Sequence, residues 1–157
     1  MQNLTVGALM PECLKSFPET PYYCFMSPHM ATFIKTPFFV FNSKYDEWQM
    51  DNILQIPCIK AKDETCNNDE KDAILKYGES FMKDLQPVMK DSKNGVAITS
   101  CICHGCNWDT IKIDGVLTYV HYINWHNGGS YTFHIDPSKP NGGGEMNITL
   151  NKCHKYP

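Results

Sequence analysis

No stretch of this 157-residue chain approaches the roughly 18 consecutive apolar residues of a membrane-spanning helix; its densest apolar run, 38–41, is only a strand long. Basic clusters are missing too. Fourteen Lys and Arg residues are scattered against seventeen Asp and Glu, for a net charge of −3, so there is no electrostatic footprint for nucleic acid or an anionic membrane. The opening MQNLTVGALMPECLKSF lacks a basic start followed by an apolar stretch and does not read as a signal peptide. There is no internal repeat, and no low-complexity tract beyond the glycines at 142–144.

What is present is a globular composition, 42% hydrophobic and 20% charged, which suits one domain over 1–157 or a piece of a larger one. Eight cysteines in so short a chain point to an oxidising compartment where bridges persist. Two acceptor sequons, at Asn3 and Asn147, point the same way. A secreted, extracellular or lumenal location is therefore expected. Cys13 with Cys24, and Cys58 with Cys66, would each close a short loop. Cys101 and Cys106 are further disulfide candidates, with the pairing among Cys101, Cys103, Cys106 and Cys153 left open.

Residues 1–36 are punctuated by Pro11, Pro18, Pro21 and Pro28, which predicts loops and short turns held by a bridge. The run 38–41, bounded by Pro37 and by Asn42-Ser43, predicts a strand; without polar alternation it should be buried on both faces, as in a parallel sheet. Asn68, Asp69 and Glu70 then open a helical spacing of Ile74, Tyr77, Phe81, Leu85 and Val88, with a bend near Pro87 and a stop at Asn94-Gly95. GVAITS is a second short strand. Val116, Tyr119, Val120 and Ile123 predict a second helix ending at Gly128-Gly129, and the tail beyond reads as loop. Strand, helix, strand, helix is the order of right-handed parallel crossovers, hence an α/β sheet.

Reactive groups in such sheets gather beyond the carboxyl ends of the strands. There the sequence places Asp46 after the first strand and His104 after the second, 58 positions apart. A serine hydroxyl is a weak nucleophile at neutral pH and needs an imidazole to take its proton, and a carboxylate to orient that imidazole. An acid and a histidine on successive strand exits are how α/β-hydrolases complete a Ser, Asp, His triad.

TPFFVFNSKYDEWQMDNIL (36–54) resembles the segment of the pectin acetylesterase and Notum family in which a strand runs into Tyr-Asp-x-Trp-Gln followed by Asn and Leu. SCICHGC (100–106) is similar to that family's Ser-Cys-x-x-His segment, and ALMPECLKSFPETPYYCF (8–25) to its Leu-Pro-x-x-Cys stretch closed by Cys-Phe. The resemblance covers most of 5–126. It implies the C-terminal part of a secreted serine carboxylesterase with an α/β-hydrolase fold, acting on an acyl ester, acetyl for choice, with Asp46 as triad acid and His104 as triad base. Trp48 and Gln49 would pack and position. An acetylated polysaccharide is one implied substrate; no metal or organic cofactor is implied. Two departures stand out. Plant members place a cysteine directly after the histidine, where this chain has Gly105 and then Cys106, and the plant tail rich in Cys and Pro is replaced here by one with Cys153 alone.

The family's nucleophile sits in a Gly-x-Ser-x-Gly elbow, and these 157 residues contain no such pattern. Ser43 and Ser100 are the nearest serines to the site, without the flanking glycines. The expectation is a partial domain whose serine lies in a missing N-terminal half, with no activity on its own.

Other readings stay open. Asp46 could merely close a turn, and His104 could be a satisfied loop histidine. Trp108, Tyr119, Tyr122 and Trp125 should pack the core. Cys103-His104-Gly105-Cys106 could be a redox pair activated by a helix N-terminus, making the protein a thiol oxidoreductase. With Cys101 it could bind zinc, although four ligands within six positions crowd a tetrahedron. The chain could also be an inactive remnant serving as a binding or structural module. His29, His121, His126, His134 and His154 carry no assignment.

Overall fold

The computed structural model describes residues 10–61, 66–130, 132–138 and 140. The proline-rich start is not loop but a series of short helical pieces: α1 (Pro11–Ser16), a 3-10 turn (Pro21–Phe25), α2 (Ser27–Met30) and a second 3-10 turn (Ala31–Phe33). Pro11, Pro21 and Pro28 each stand in a first helical turn, where a missing N–H costs nothing. The Cys13–Cys24 bridge ties the first two pieces together, with Cys13 fully buried.

Then come β1 (Phe39–Tyr45), α3 (Glu47–Asn52), α4 (Pro57–Ala61), α5 (Asn68–Met89), β2 (Gly95–Ile102), β3 (Lys112–Ile113), β4 (Val116–Leu117), α6 (Thr118–His126) and β5 (Phe133–Ile135). The main sheet has the order β1-β2-β5, parallel throughout; β3 and β4 form a small antiparallel ribbon. The parallel α/β architecture expected from the residue pattern is therefore present. The expected second helix begins later, at Thr118, because Val116 belongs to the ribbon.

Helix α5 starts one residue earlier than its first acidic turn suggested. Asn67 is the cap: its side chain accepts the Glu70 N–H at 2.9 Å, and the Glu70 carboxylate accepts the Asn67 N–H at 2.7 Å, a reciprocal capping box. The other Glu70 oxygen accepts the Cys58 N–H at 3.2 Å, so one side chain joins α4 to α5 beside the Cys58–Cys66 bridge. Pro87 does not stop the helix, which runs on to Met89. At the far end of α6, Gly128 has φ +81°. Its N–H reaches Trp125 O, and that of Gly129 reaches Asn124 O at 2.8 Å, closing the helix as the glycine pair predicted.

Side chains alternate across the sheet. Val96 and Ile98 of β2 face α5, where they meet Leu85 and Val88, with Val40 alongside. On the opposite face Phe39 meets Tyr122 and Trp125 of α6 at ring-centroid separations of 5.5 and 5.4 Å. A second apolar cluster under α3, α4 and α5 gathers Tyr45, Met50, Ile56, Ile59 and Ile74. Ile74 is fully buried, and its truncation to Ala costs about 2–5 kcal/mol.

Strand β2 is buried along its whole length, but β1 is only half-buried from Phe39 to Asn42. The expectation of burial on both faces therefore fails for β1, which pairs on one side alone among the described residues. Nor do the aromatics around α6 all pack inward: Trp108, Tyr119 and Tyr122 are exposed, and Trp125 is half-buried. Trp108 instead covers Phe41, with ring centroids 3.9 Å apart.

Candidate active site

The two strand exits lie side by side. Register runs Phe39↔Gly95 through Ser43↔Thr99, then slips by one residue so that Tyr45 pairs Ile102. Ser43 fills this bulge: it accepts the Tyr45 N–H at 2.9 Å and donates its hydroxyl proton to the Cys101 carbonyl. An extra residue in one strand bends that strand and re-aims the side chains beyond it. Here it brings Asp46 and Cys103 into adjacent positions, and the Glu47 N–H donates to Cys103 O at 3.3 Å.

Asp46 leaves β1 and caps α3, one oxygen accepting the Gln49 N–H at 2.9 Å. It is almost fully buried. Both of its oxygens face Nδ1 of His104, at 3.1 and 3.0 Å. A carboxylate can only accept, so Nδ1 carries the proton and Nε2 of the neutral ring keeps its lone pair. Nε2 has no hydrogen-bond partner among the described residues, and the His104 side chain is 59% exposed. The result is a buried, hydrogen-bonded acid that orients an accessible imidazole with its basic nitrogen free.

Trp48 and Gln49 are exposed rather than packed, and the Trp48 ring lies 6.0 Å from that of His104. The two nearby serines are committed elsewhere. Ser43 bridges the bulge, and Ser100, equally buried, donates its hydroxyl proton to Asp136 at 2.6 Å. Asp136, just past β5, has no signal in the sequence, because a three-residue strand in a Pro- and Gly-rich tail gives no periodicity. Burial alone would raise its carboxyl pKa, but bonds from Ser100 and Ser138 outweigh that and hold it below the ordinary value. His121 and His134, without an assignment from the sequence, are both buried and stacked, ring centroids 3.6 Å apart.

Every cysteine candidate within the described residues is oxidised. Cys103 pairs with Cys106, beside Cys13–Cys24 and Cys58–Cys66, and Cys101 is disulfide-bonded too. As bridges these sulfurs are not thiolate ligands. His104 and Gly105 form a bend and no helix starts within 103–107, so a Cys103 thiolate would lack the helix N-terminus that activates redox cysteines. Asn3, Asn147, Cys153 and His154 lie outside the described residues.

The model of the pectinacetylesterase family matches residues 2–126, which hold both Asp46 and His104. The chain belongs to that family. Among its relatives, pectin acetylesterase 11 of Arabidopsis thaliana is 31% identical over 93 residues, 54% of this chain and 24% of that protein. The palmitoleoyl-protein carboxylesterase NOTUM of Drosophila melanogaster is 31% identical over 120 residues, 73% of this chain and 16% of that protein. Pectin acetylesterase 7 of Arabidopsis thaliana is 26% identical over 93 residues. The chain thus spans about a quarter or less of the relatives it matches. No solved structure matches it. No described helix of this pectinacetylesterase-family chain is long and apolar enough to cross a membrane.

Proposed function

We propose that this chain is the C-terminal part of an α/β-hydrolase serine carboxylesterase and contributes two members of its triad, His104 and Asp46. The observation that carries the reading is the Nδ1 contact of His104 with both Asp46 oxygens, inside the family match. The nucleophilic serine comes from a segment outside these 157 residues, which contain no Gly-x-Ser-x-Gly. Nε2 of His104 takes the serine proton as the oxygen attacks the ester carbonyl, and Asp46 stabilises the imidazolium. The same proton then passes to the departing alkoxide, leaving an acyl-enzyme. A water molecule, deprotonated by Nε2, releases the acid and restores the serine. Oxyanion donors would belong with the serine-bearing segment.

The relatives' names specify an acetylated pectin and a palmitoleoylated protein. Both are acyl esters, and this common chemistry, with an acetylated polysaccharide as first candidate, is the substrate class proposed. The bridges within the described residues support an extracellular or lumenal site.

The test is turnover of p-nitrophenyl acetate by a longer chain carrying the Gly-x-Ser-x-Gly segment, with and without His104→Ala. Loss of turnover in the variant, and none from the 157 residues alone, is expected. Undiminished turnover in His104→Ala would remove the triad reading.

A further inference from the structure

The loop that carries the imidazole has almost nothing else to hold it. Residues 104–106 make no main-chain hydrogen bond among the described residues. His104 has its Asp46 contact and the neighbouring Trp48 ring, and Gly105 sits at φ +65° with open space around it. What fixes the loop is covalent: the Cys103–Cys106 bridge closes a ring with only His104 and Gly105 inside it. Its sulfurs lie inward, clustered with Cys101, Ile111 and Phe41, while His104 projects outward. A four-residue ring leaves the histidine backbone few conformations. Opened, the loop would regain that freedom, and the single part-buried contact with Asp46 does not offset the ordering of several residues.

This bridge also differs from the two others whose cysteines both lie among the described residues. Its cysteines are 3 positions apart, against 11 for Cys13–Cys24 and 8 for Cys58–Cys66. The shorter the loop, the less a bridge constrains the unfolded chain, so of these three it has the smallest stake in global stability. It is the least buried of the three as well: Cys103 and Cys106 are 9% and 8% exposed, against 0% and 7% for Cys13–Cys24 and 3% and 5% for Cys58–Cys66.

We infer that the Cys103–Cys106 disulfide is a positioning element that holds His104 Nδ1 against Asp46, and that a dithiol reductant releases it. One thiolate of the reductant attacks a bridge sulfur and expels the other as a thiolate, which takes a proton. The reductant's second thiol then displaces the mixed disulfide. The reductant leaves as a cyclic disulfide, and Cys103 and Cys106 have gained two electrons and two protons. Control of catalysis by this step rests on the triad role proposed above; the positioning itself does not.

Dithiothreitol titration of the 157-residue chain tests it. Alkylation mapping should find the first two freed thiols at Cys103 and Cys106. At that point the imidazole 15N shifts of His104 should change from the Nδ1–H form enforced by Asp46 toward the Nε2–H form of a free ring, with β1 and β2 amide signals unmoved, and reoxidation should reverse the change. The Cys103→Ser/Cys106→Ser double variant should show the released form without reductant, and Cys58→Ser/Cys66→Ser the held form. First release at another bridge, or an unchanged His104 after both thiols are alkylated, overturns the inference. In a serine-bearing longer chain, reduction should lower kcat at least tenfold with KM unchanged. If His104 is released but turnover is untouched, the triad reading fails and the clamp stands; if turnover needs His104 and reduction does not release it, the clamp alone fails.

Discussion

Gly78 of α5 lies flush against the ring of Tyr45, the residue that precedes Asp46. A Cβ placed on Gly78 would stand 2.5 Å from Tyr45 Cε1 and 3.0 Å from Cζ. The close approach seats the long helix on the end of β1 and so fixes where the strand releases Asp46. In an open helix, Gly→Ala gains about 0.5–1 kcal/mol. Here overpacking a buried ring, at roughly 1–3 kcal/mol, outweighs it. Gly78→Ala should therefore lower stability, read as a reduced urea midpoint, and Tyr45→Leu in the same chain should recover part of the loss. A midpoint that rises in the single variant would contradict the close packing.

Asp46 has two tasks that substitution can separate. Asparagine keeps an oxygen for the Gln49 N–H but cannot stabilise an imidazolium; alanine loses both functions. Asp46→Ala should cost about 1 kcal/mol of cap stability, whereas Asp46→Asn should cost a few tenths at most. In a serine-bearing longer chain both should lower kcat, by as much as about 10⁴-fold where the wrong tautomer results. Equal turnover in Asp46→Asn and the parent would show that the carboxylate is only a helix cap.

Length and periodicity decide which parts of this arrangement the sequence discloses. β1, β2, α5 and α6 are long or periodic enough to leave a pattern, and the acid and histidine at their exits were visible with them. Helices α3 and α4, of six and five residues, are too short to form without tertiary packing, and β5 has three residues. Tyr119 and Ile123 carry the right spacing for a buried face and are exposed, since spacing tells which residues share a face and not what covers it. The bulge at Ser43 left no mark either, because one extra residue in β2 alters no composition. The C-x-x-C motif is plain in the sequence, but not that its two cysteines pair with each other, closing a ring through the His104 backbone with the imidazole outside.

Asp136 gives the fold an acid limb. Its folded pKa lies below the unfolded value of 3.8, since Ser100 and Ser138 bond the ionised form more strongly than burial opposes it. A depressed carboxyl contributes stability that is present above the unfolded value and lost as pH falls through the folded one. Unfolding free energy should thus drop below about pH 4 more steeply in the parent than in Asp136→Asn. Denaturant titrations across that range check it; parallel curves would mean that the Ser100 bond does not favour the charged carboxylate.

Tyr45 and Tyr77 give it an alkaline limb. Burial, reinforced for Tyr45 by Asp136 and Glu79 and for Tyr77 by Asp46, pushes each phenol from 10.0 up to about 12. Raised folded values mean that stability is fully present below pH 10.0 and is lost as pH climbs through about 12. Tyrosinate absorbance should accordingly show two late-ionising groups, and unfolding free energy should fall over the same interval. Phenylalanine at either position should flatten that fall, but the two variants should part company at neutral pH. The Tyr77 hydroxyl is buried, and its contact with the main chain of Asp46 falls short of hydrogen-bond geometry, so Tyr77→Phe removes a poorly satisfied group and should leave stability unchanged or raised. A loss above about 1 kcal/mol in Tyr77→Phe at neutral pH would show that the hydroxyl is bonded to the main chain of Asp46.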